Sequence, residues 1–408
     1  MVLLRIKALA AAAVMFFCSL FGIEYRGRAL DLNRLESGVS ASQNARLENG
    51  ALTGAQIIVY QNSEKKLSAV YGLKNAGGKA LAGDEIYRIA SMTKPVTAFA
   101  LLMEYDRGNI DIYADVSDYL PAFSDMYLAK RSDDGSILRD EKGRALKGGK
   151  AKNPIKVYQL VSHTSGVGDV PGAGGITTLD SAVEYLESQP LCFEPGTAQE
   201  YSTGAFDLAA KIIENSSGLE FEEYLRQNIF TPLGMTDTTF EPDEAQWARV
   251  AGMHNRGGDG RAFDEPTVPG CVFGDYPVSY HAAGAGLVST AEDYLKFAVM
   301  LLDGGAAPDG TRLVSEKSFR LFITPVTDNK IMPGNTKWGL GVRVITGYDH
   351  TLPKGSYGWS GAYGTHFWID PVNRIAAVYM KNSVFDGGAG CMTGEEFEKD
   401  VMKSLGWF

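Results

Sequence analysis

At 408 residues the chain is long enough for two or three average domains or for one large catalytic unit with an ample core. Hydrophobic residues make up 45%, charged residues 22% and aromatics 11%, ordinary globular usage that excludes a disordered, collagen-like or coiled-coil chain. The net charge, 39 − 49 = −10, and the scatter of the lysines leave no basic footprint for a phosphate backbone, so nucleic acid is not an expected partner.

The first thirty residues carry a leader signal. Arg5 and Lys7 precede the apolar run 8–23, which is shorter than the ~20 residues of a membrane-spanning helix and matches a secretory h-region. Residues 1–29 are therefore read as a signal peptide or N-terminal anchor, with an exported, periplasmic or secreted protein as the expectation. The membrane is expected as a partner only through such an anchor.

Beyond the leader, segments 55–61 and 66–72 are apolar, β-branched runs around the polar turn Asn62-Ser63-Glu64-Lys65, which predicts a hairpin. A short strand is expected at 86–90. From Ser91 the period changes: Val96, Phe99, Leu102 and Met103 share one face and Gly108 follows, which predicts a helix over 91–105. The charged, glycine-bearing stretch 126–152 reads as a long surface loop or a solvated hairpin. Helices are expected at 157–162, 179–188, 205–215, 220–229 and 290–302. Strands return at 338–345, 364–370 and 374–381, the last two joined by the turn Pro371-Val372-Asn373, before a closing helix at 394–405.

The expected fold class is α+β: an antiparallel sheet flanked by helices, built from both ends of the chain, with a mostly helical subdomain inserted. One catalytic unit over 35–408 would have its sheet subdomain at about 35–110 and 285–408 and its helical subdomain at about 111–284.

No local metal signature is present. Cys18, Cys192, Cys271 and Cys391 form no C-x-x-C pair, and His163, His254, His281, His350 and His366 form no H-E-x-x-H. No metal and no cofactor are expected. The spacing of Cys192, Cys271 and Cys391 leaves open whether any two of them are bridged.

Chemistry concentrates in three places. Ser91-Met92-Thr93-Lys94 is an S-x-x-K where an apolar strand ends and a helix begins, and a spacing of three puts both side chains on one helical face. An ammonium taken out of water sheds its proton more readily, which a serine-activating base requires, and a helix N-terminus adds positive charge beside a developing oxyanion. A second match, Ser63-Glu64-Lys65-Lys66, falls in the predicted hairpin turn and lacks that context. Glu200-Tyr201-Ser202-Thr203-Gly204 lies just before a helix. Tyr357-Gly358-Trp359-Ser360-Gly361-Ala362-Tyr363-Gly364 leads into a strand, and its glycines permit close backbone approach.

Taken in order, Ser91…Lys94, Tyr201…Thr203 and Trp359…Ala362 resemble the three active-site elements of the class C β-lactamase and penicillin-binding-protein-like superfamily, over a span from about residue 35 to the C-terminus. The segments 160–166, 232–236 and 283–293 resemble it too. The resemblance implies Ser91 as acylated nucleophile, Lys94 as its proton acceptor and Tyr201 in the proton relay. It implies an oxyanion hole from the backbone N–H groups of Ser91 and Ala362, and substrate contacts from Thr203, Trp359, Ser360 and Gly361.

Two departures bear on substrate. Thr203 stands where the β-lactamase pattern has asparagine, and Trp359 where it has a lysine to face a substrate carboxylate. Tryptophan there is similar to the serine carboxylesterase branch, which implies hydrolysis of small, largely uncharged esters as the small-molecule substrates. The alternatives are a β-lactamase or D,D-peptidase, and a non-catalytic ligand- or peptidoglycan-binding module. His163 lacks the G-x-S-x-G partner of a Ser-His-Asp triad and is read as part of a structural turn.

Overall fold

The computed structural model describes residues 27–171, 176–256, 262–264, 278, 280–348, 350–383 and 392–407. Residues 1–26 of the leader expected at 1–29, and with them Cys18, lie outside the described residues, as do Cys271 and Cys391; Cys192 carries a free thiol.

Helix α1 (Leu32–Glu48) opens the described chain, capped by the Asp31 carboxylate, which accepts the Arg34 N–H. It was not expected from the sequence, because only Leu35, Val39 and Gln43 are buried along it, a stripe too narrow to mark a helical period. The predicted hairpin follows as β1 (Gly54–Gln61) and β2 (Glu64–Gly72), with Asn62 and Ser63 both at positive φ in the turn. Strand β3 (Ile86–Arg88) leads to helix α2 (Thr93–Asp106). The stretch 126–152 is the solvated alternative: β4 (Tyr127–Ala129) pairs with β5 (Lys147–Lys150), and bridges at Arg131–Ile137 and Arg139–Ala145 extend the excursion.

Helices α3 (Leu179–Ser188) and α4 (Gly204–Ser217) fall where the period places them. Strand β6 (Val288–Thr290) feeds helix α5 (Ala291–Leu302), and an unexpected helix α6 (Glu316–Ile323) follows. The segment expected as one strand at 338–345 is two, β7 (Thr336–Trp338) and β8 (Arg343–Ile345), a tight hairpin turning through Gly339 to Val342. Strands β9 (Tyr357–Ser360), β10 (His366–Asp370) and β11 (Ile375–Met380) precede helix α7 (Met392–Ser404).

The main sheet has seven antiparallel strands in the order β2-β1-β11-β10-β9-β8-β7, so the two ends of the chain meet where Ile58 pairs with Val378. Its central strands are buried on both faces. Ile57, Val59, Trp368, Ala377 and Tyr379 pack with Phe397 and Val401 of α7 and with Leu35 and Val39 of α1. Ile58, Phe367, Ile369, Val378 and Met380 pack with α2 and α5 through Val96, Phe99, Phe297 and Leu301. The strand expected at 86–90 does not join this sheet. It pairs instead with β6, in the register Ile86–Thr290 and Arg88–Val288, because the chain must turn at once into α2.

Candidate active site

The residues between β3 and α2 make a sharp corner. Ile89 N–H donates to Leu287 O at 3.1 Å, Ala90 takes φ +46°, and Ala90–Met92 forms a single tight turn before α2. A left-handed alanine is uncommon and persists only where the surroundings hold it. Here Tyr294 Oη donates to Met92 O at 2.8 Å and Leu287 N–H to Thr93 Oγ1 at 3.1 Å. Ser91 is thereby fixed at the start of a fourteen-residue helix.

Lys94, one turn on, is fully buried. Its Nζ lies 2.8 Å from Gly284 O, 3.1 Å from Thr203 Oγ1 and 3.4 Å from Ser91 Oγ. Once it has given up a proton, the amine has two N–H donors and one lone pair, so the two shorter contacts can take the donors and leave the lone pair facing Ser91. That is the geometry of a general base. Gly284 is obligatory in this cluster, since a Cβ there would lie 2.7 Å from Thr203 O. Thr203 itself is held by Asp169, whose Oδ1 accepts both the Thr203 and the Gly204 N–H at the start of α4.

Aromatic rings wall the other side. The Lys94 ammonium lies 4.6 Å from the centroid of the Tyr201 ring and 5.4 Å from that of Phe206. Tyr201 is 37% exposed, and its Oη accepts the indole N–H of Trp359 at 3.1 Å. Trp338, from the β7–β8 hairpin, meets Trp359 edge-on at 4.5 Å. With its N–H committed to Tyr201, Trp359 offers the cleft only apolar surface. His163 lies tilted against Tyr201, ring centroids 4.4 Å apart, and accepts the Ser202 N–H at Nδ1, 3.1 Å away. Burial, reinforced by the Lys94 charge, holds His163 well below the usual imidazole range. It forms no bond to Ser91 and supports the tyrosine loop, as its turn context in the sequence suggests.

The third element closes on the first. A Cβ at Gly361 would lie 2.3 Å from Ile89 O, so this glycine lets the end of β9 abut the corner that carries Ser91, with Ala362 next in the chain. Thr365 Oγ1 donates to the same carbonyl at 3.1 Å. Strand β8 pairs only with Tyr357 and Gly358, which leaves the edge of β9 open at Trp359 and Ser360.

Residues the sequence did not single out complete the arrangement. Asp207, in the first turn of α4, is fully buried and accepts hydrogen bonds from Tyr280 Oη at 2.6 Å and Ala283 N–H at 2.8 Å, while Thr97 Oγ1 donates to Ala283 O at 2.6 Å. Segment 283–284, whose carbonyl meets Lys94, is thus pinned from both sides. Burial pushes Asp207 up to about 7 against those hydrogen bonds and the Lys94 charge. In the unfolded chain an aspartate titrates near ~3.9, so the fold favours the protonated form. The stability this group contributes is full below that value, falls as pH rises through about 7, and is flat above. Asp207→Asn removes the slope. Denaturant unfolding at pH 5 and pH 8 should show wild type losing on the order of 2–3 kcal/mol more than the variant between the two conditions.

The family model described as Beta-lactamase matches residues 39–393. The chain belongs to this family. It is a serine hydrolase with a β-lactamase/transpeptidase-like fold. "Esterase EstB" of Burkholderia gladioli is 26% identical over 403 residues, covering 90% of this chain and 95% of that protein. "Penicillin-binding protein 4" of Amycolatopsis lactamdurans is 28% identical, covering 81% and 80% respectively. Among solved structures, "EstCE1, a hydrolase with promiscuous acyltransferase activity" superposes with a TM-score of 0.76 over 91% of this chain and 99% of its own, at 19% identity, a likeness of fold.

Proposed function

We propose that this family member cleaves small, largely uncharged carboxylic esters through an acyl-enzyme on Ser91. Lys94 accepts the Ser91 proton as Oγ attacks the ester carbonyl. The backbone N–H groups of Ser91 and Ala362 receive the oxyanion, and the alcohol departs with a proton returned through Lys94 or Tyr201. Water then repeats the sequence on the acyl group and frees the acid. Thr203, Trp359, Ser360 and Gly361 line the substrate.

The observation that carries the reading is Trp359. Its indole stands with its N–H bonded to Tyr201 and its face against Trp338, so the position supplies neither cation nor free donor for a substrate carboxylate. The likeness to an esterase over nine-tenths of the chain points the same way. The likeness to a penicillin-binding protein supports a second reading, action on β-lactams or peptidoglycan peptides, and the Ser91–Lys94–Tyr201 cluster would serve either. A fluorophosphonate label followed by peptide mapping tests the centre. Stoichiometric modification of the peptide containing Ser91 is expected, together with faster turnover of nitrophenyl acetate or butyrate than of a chromogenic cephalosporin. Labelling elsewhere, or a cephalosporin opened as fast as the esters, would reject it.

A further inference from the structure

Behind the open edge of β9, Ser360 begins a hydrogen-bond chain whose inner members, His366 and Glu398, the proposed chemistry does not use. Ser360 and His366 are direct cross-strand partners, and Ser360 Oγ lies 2.8 Å from His366 Nδ1. His366 Nε2 lies 3.0 Å from Glu398 Oε1 on α7. All three residues are more than nine-tenths buried, and Glu398 is completely so. The imidazole is clamped as well: a Cβ on Gly394, one turn earlier on α7, would stand 3.1 Å from its Cγ. Arg343 from β8 approaches the same Glu398 oxygen to 3.8 Å.

The direction of the bonds follows from what each group can do. A carboxylate only accepts, so in the neutral imidazole Nε2 carries the proton that Glu398 receives, and Nδ1 keeps a lone pair. The remaining bond can then be made only by the Ser360 hydroxyl donating to Nδ1. A serine hydroxyl has one proton, and that proton now points into the sheet. What Ser360 presents at the open edge of β9 is oxygen lone pairs.

We propose that His366, held by Glu398, is a positioning residue that keeps the Ser360 hydroxyl proton away from the cleft, so that Ser360 meets the acyl group as a hydrogen-bond acceptor and the site discriminates against acyl chains ending in a carboxylate. The inference rests on the ester reading of the Ser91 centre and adds a second determinant to Trp359. An acyl chain that is neutral, or that ends in an N–H or O–H donor, suits such a subsite. An anion meets two sets of lone pairs with no proton between them.

The test uses nitrophenyl butyrate beside the nitrophenyl half-ester of glutaric acid, which differs by a terminal carboxylate. His366→Phe is combined with Glu398→Gln so that no unpaired carboxylate is left buried. With its acceptor gone, Ser360 can turn its proton to the substrate. The ratio of kcat/KM for the glutarate over the butyrate should rise about fivefold or more, with the change in KM for the glutarate and butyrate kcat within about threefold. Ser360→Ala, a substitution the fold tolerates more easily, checks the sign: removal of the lone pairs raises the same ratio, whereas removal of a donor would lower it. Fluorophosphonate labelling of each variant separates the two levels of the argument. If Ser91 is labelled and the ratio stays constant in the double variant, or falls in Ser360→Ala, the inference is overturned and the ester reading stands. If the label maps to Ser360, or Ser91 is unreactive in wild type, the reading beneath it falls too.

Discussion

Lys94→Arg is expected to lose at least ~10³ in kcat/KM on a nitrophenyl ester, nearly as much as Lys94→Ala, and Ser91→Ala is expected to abolish turnover. The arginine result is the more informative. A guanidinium keeps its charge and its donors but cannot accept the serine proton at any accessible pH. It would also have to fit where Lys94 is fully enclosed, between Gly284 O, Thr203 Oγ1 and the Tyr201 ring. Ser91→Ala removes a hydroxyl whose contact with Lys94 Nζ is 3.4 Å, so thermal unfolding should shift by no more than ~1 kcal/mol while hydrolysis disappears. Steady-state kinetics beside a melting curve settle both. A Lys94→Arg enzyme within about tenfold of wild type would show that the proton goes elsewhere, since tenfold is only ~1.4 kcal/mol of transition-state stabilisation.

Trp359 governs the second large effect. Wild type should prefer nitrophenyl butyrate to a carboxylate-bearing β-lactam by about 10² or more in kcat/KM, or ~2.7 kcal/mol. An unpaired carboxylate entering an apolar pocket pays a desolvation cost of several kcal/mol that a neutral ester escapes. Trp359→Lys should narrow the ratio from both sides. The new cation pairs with the carboxylate, while the lost indole removes the 3.1 Å bond to Tyr201 Oη and the edge contact with Trp338, which lowers ester turnover. Complete conversion is not expected, because Thr203 still places a hydroxyl, bonded to Lys94, where the β-lactamase pattern has an amide. Parallel assays of the two substrates on both proteins decide it; an unchanged ratio would remove Trp359 from the account of specificity.

What could be read from the sequence follows the range of the forces involved. The β1–β2 hairpin, the turn at 371–373 and the helix carrying Lys94 are set by neighbours within a few residues, through turn residues and one clear apolar period. The serine and lysine are three apart where a tight turn runs straight into a helix, so their meeting needed no tertiary knowledge. Helix α1 escaped because its burial depends on α7, more than 340 residues away. The hairpin at 336–345 escaped because an apolar run looks alike whether or not it folds back. Asp207, Trp338, His366 and Glu398 belong to no local motif; each acquires its partner only when separate elements meet. His366 sat in plain view after the third element, but Glu398 is 32 residues further on. No spacing rule connects the two.

The pairing of β1 with β11 sets the order in which this molecule can be made. Ile57 and Val59 leave the ribosome early, yet their partners Tyr379 and Ala377 are more than 300 residues behind them. Until then the first hairpin has one unmatched edge and two apolar faces, the condition in which strands find wrong partners. Loop closure over such a distance is slow, so high contact order makes the sheet a late event in folding. The corner that holds Ser91 is tied to the same event, because Asn382, just past β11, bonds both the N–H and the C=O of Arg88. Under the proposed chemistry a nascent chain therefore remains without its hydrolytic centre through most of its synthesis, and the appearance of a reactive Ser91 is a timer for completion of β11.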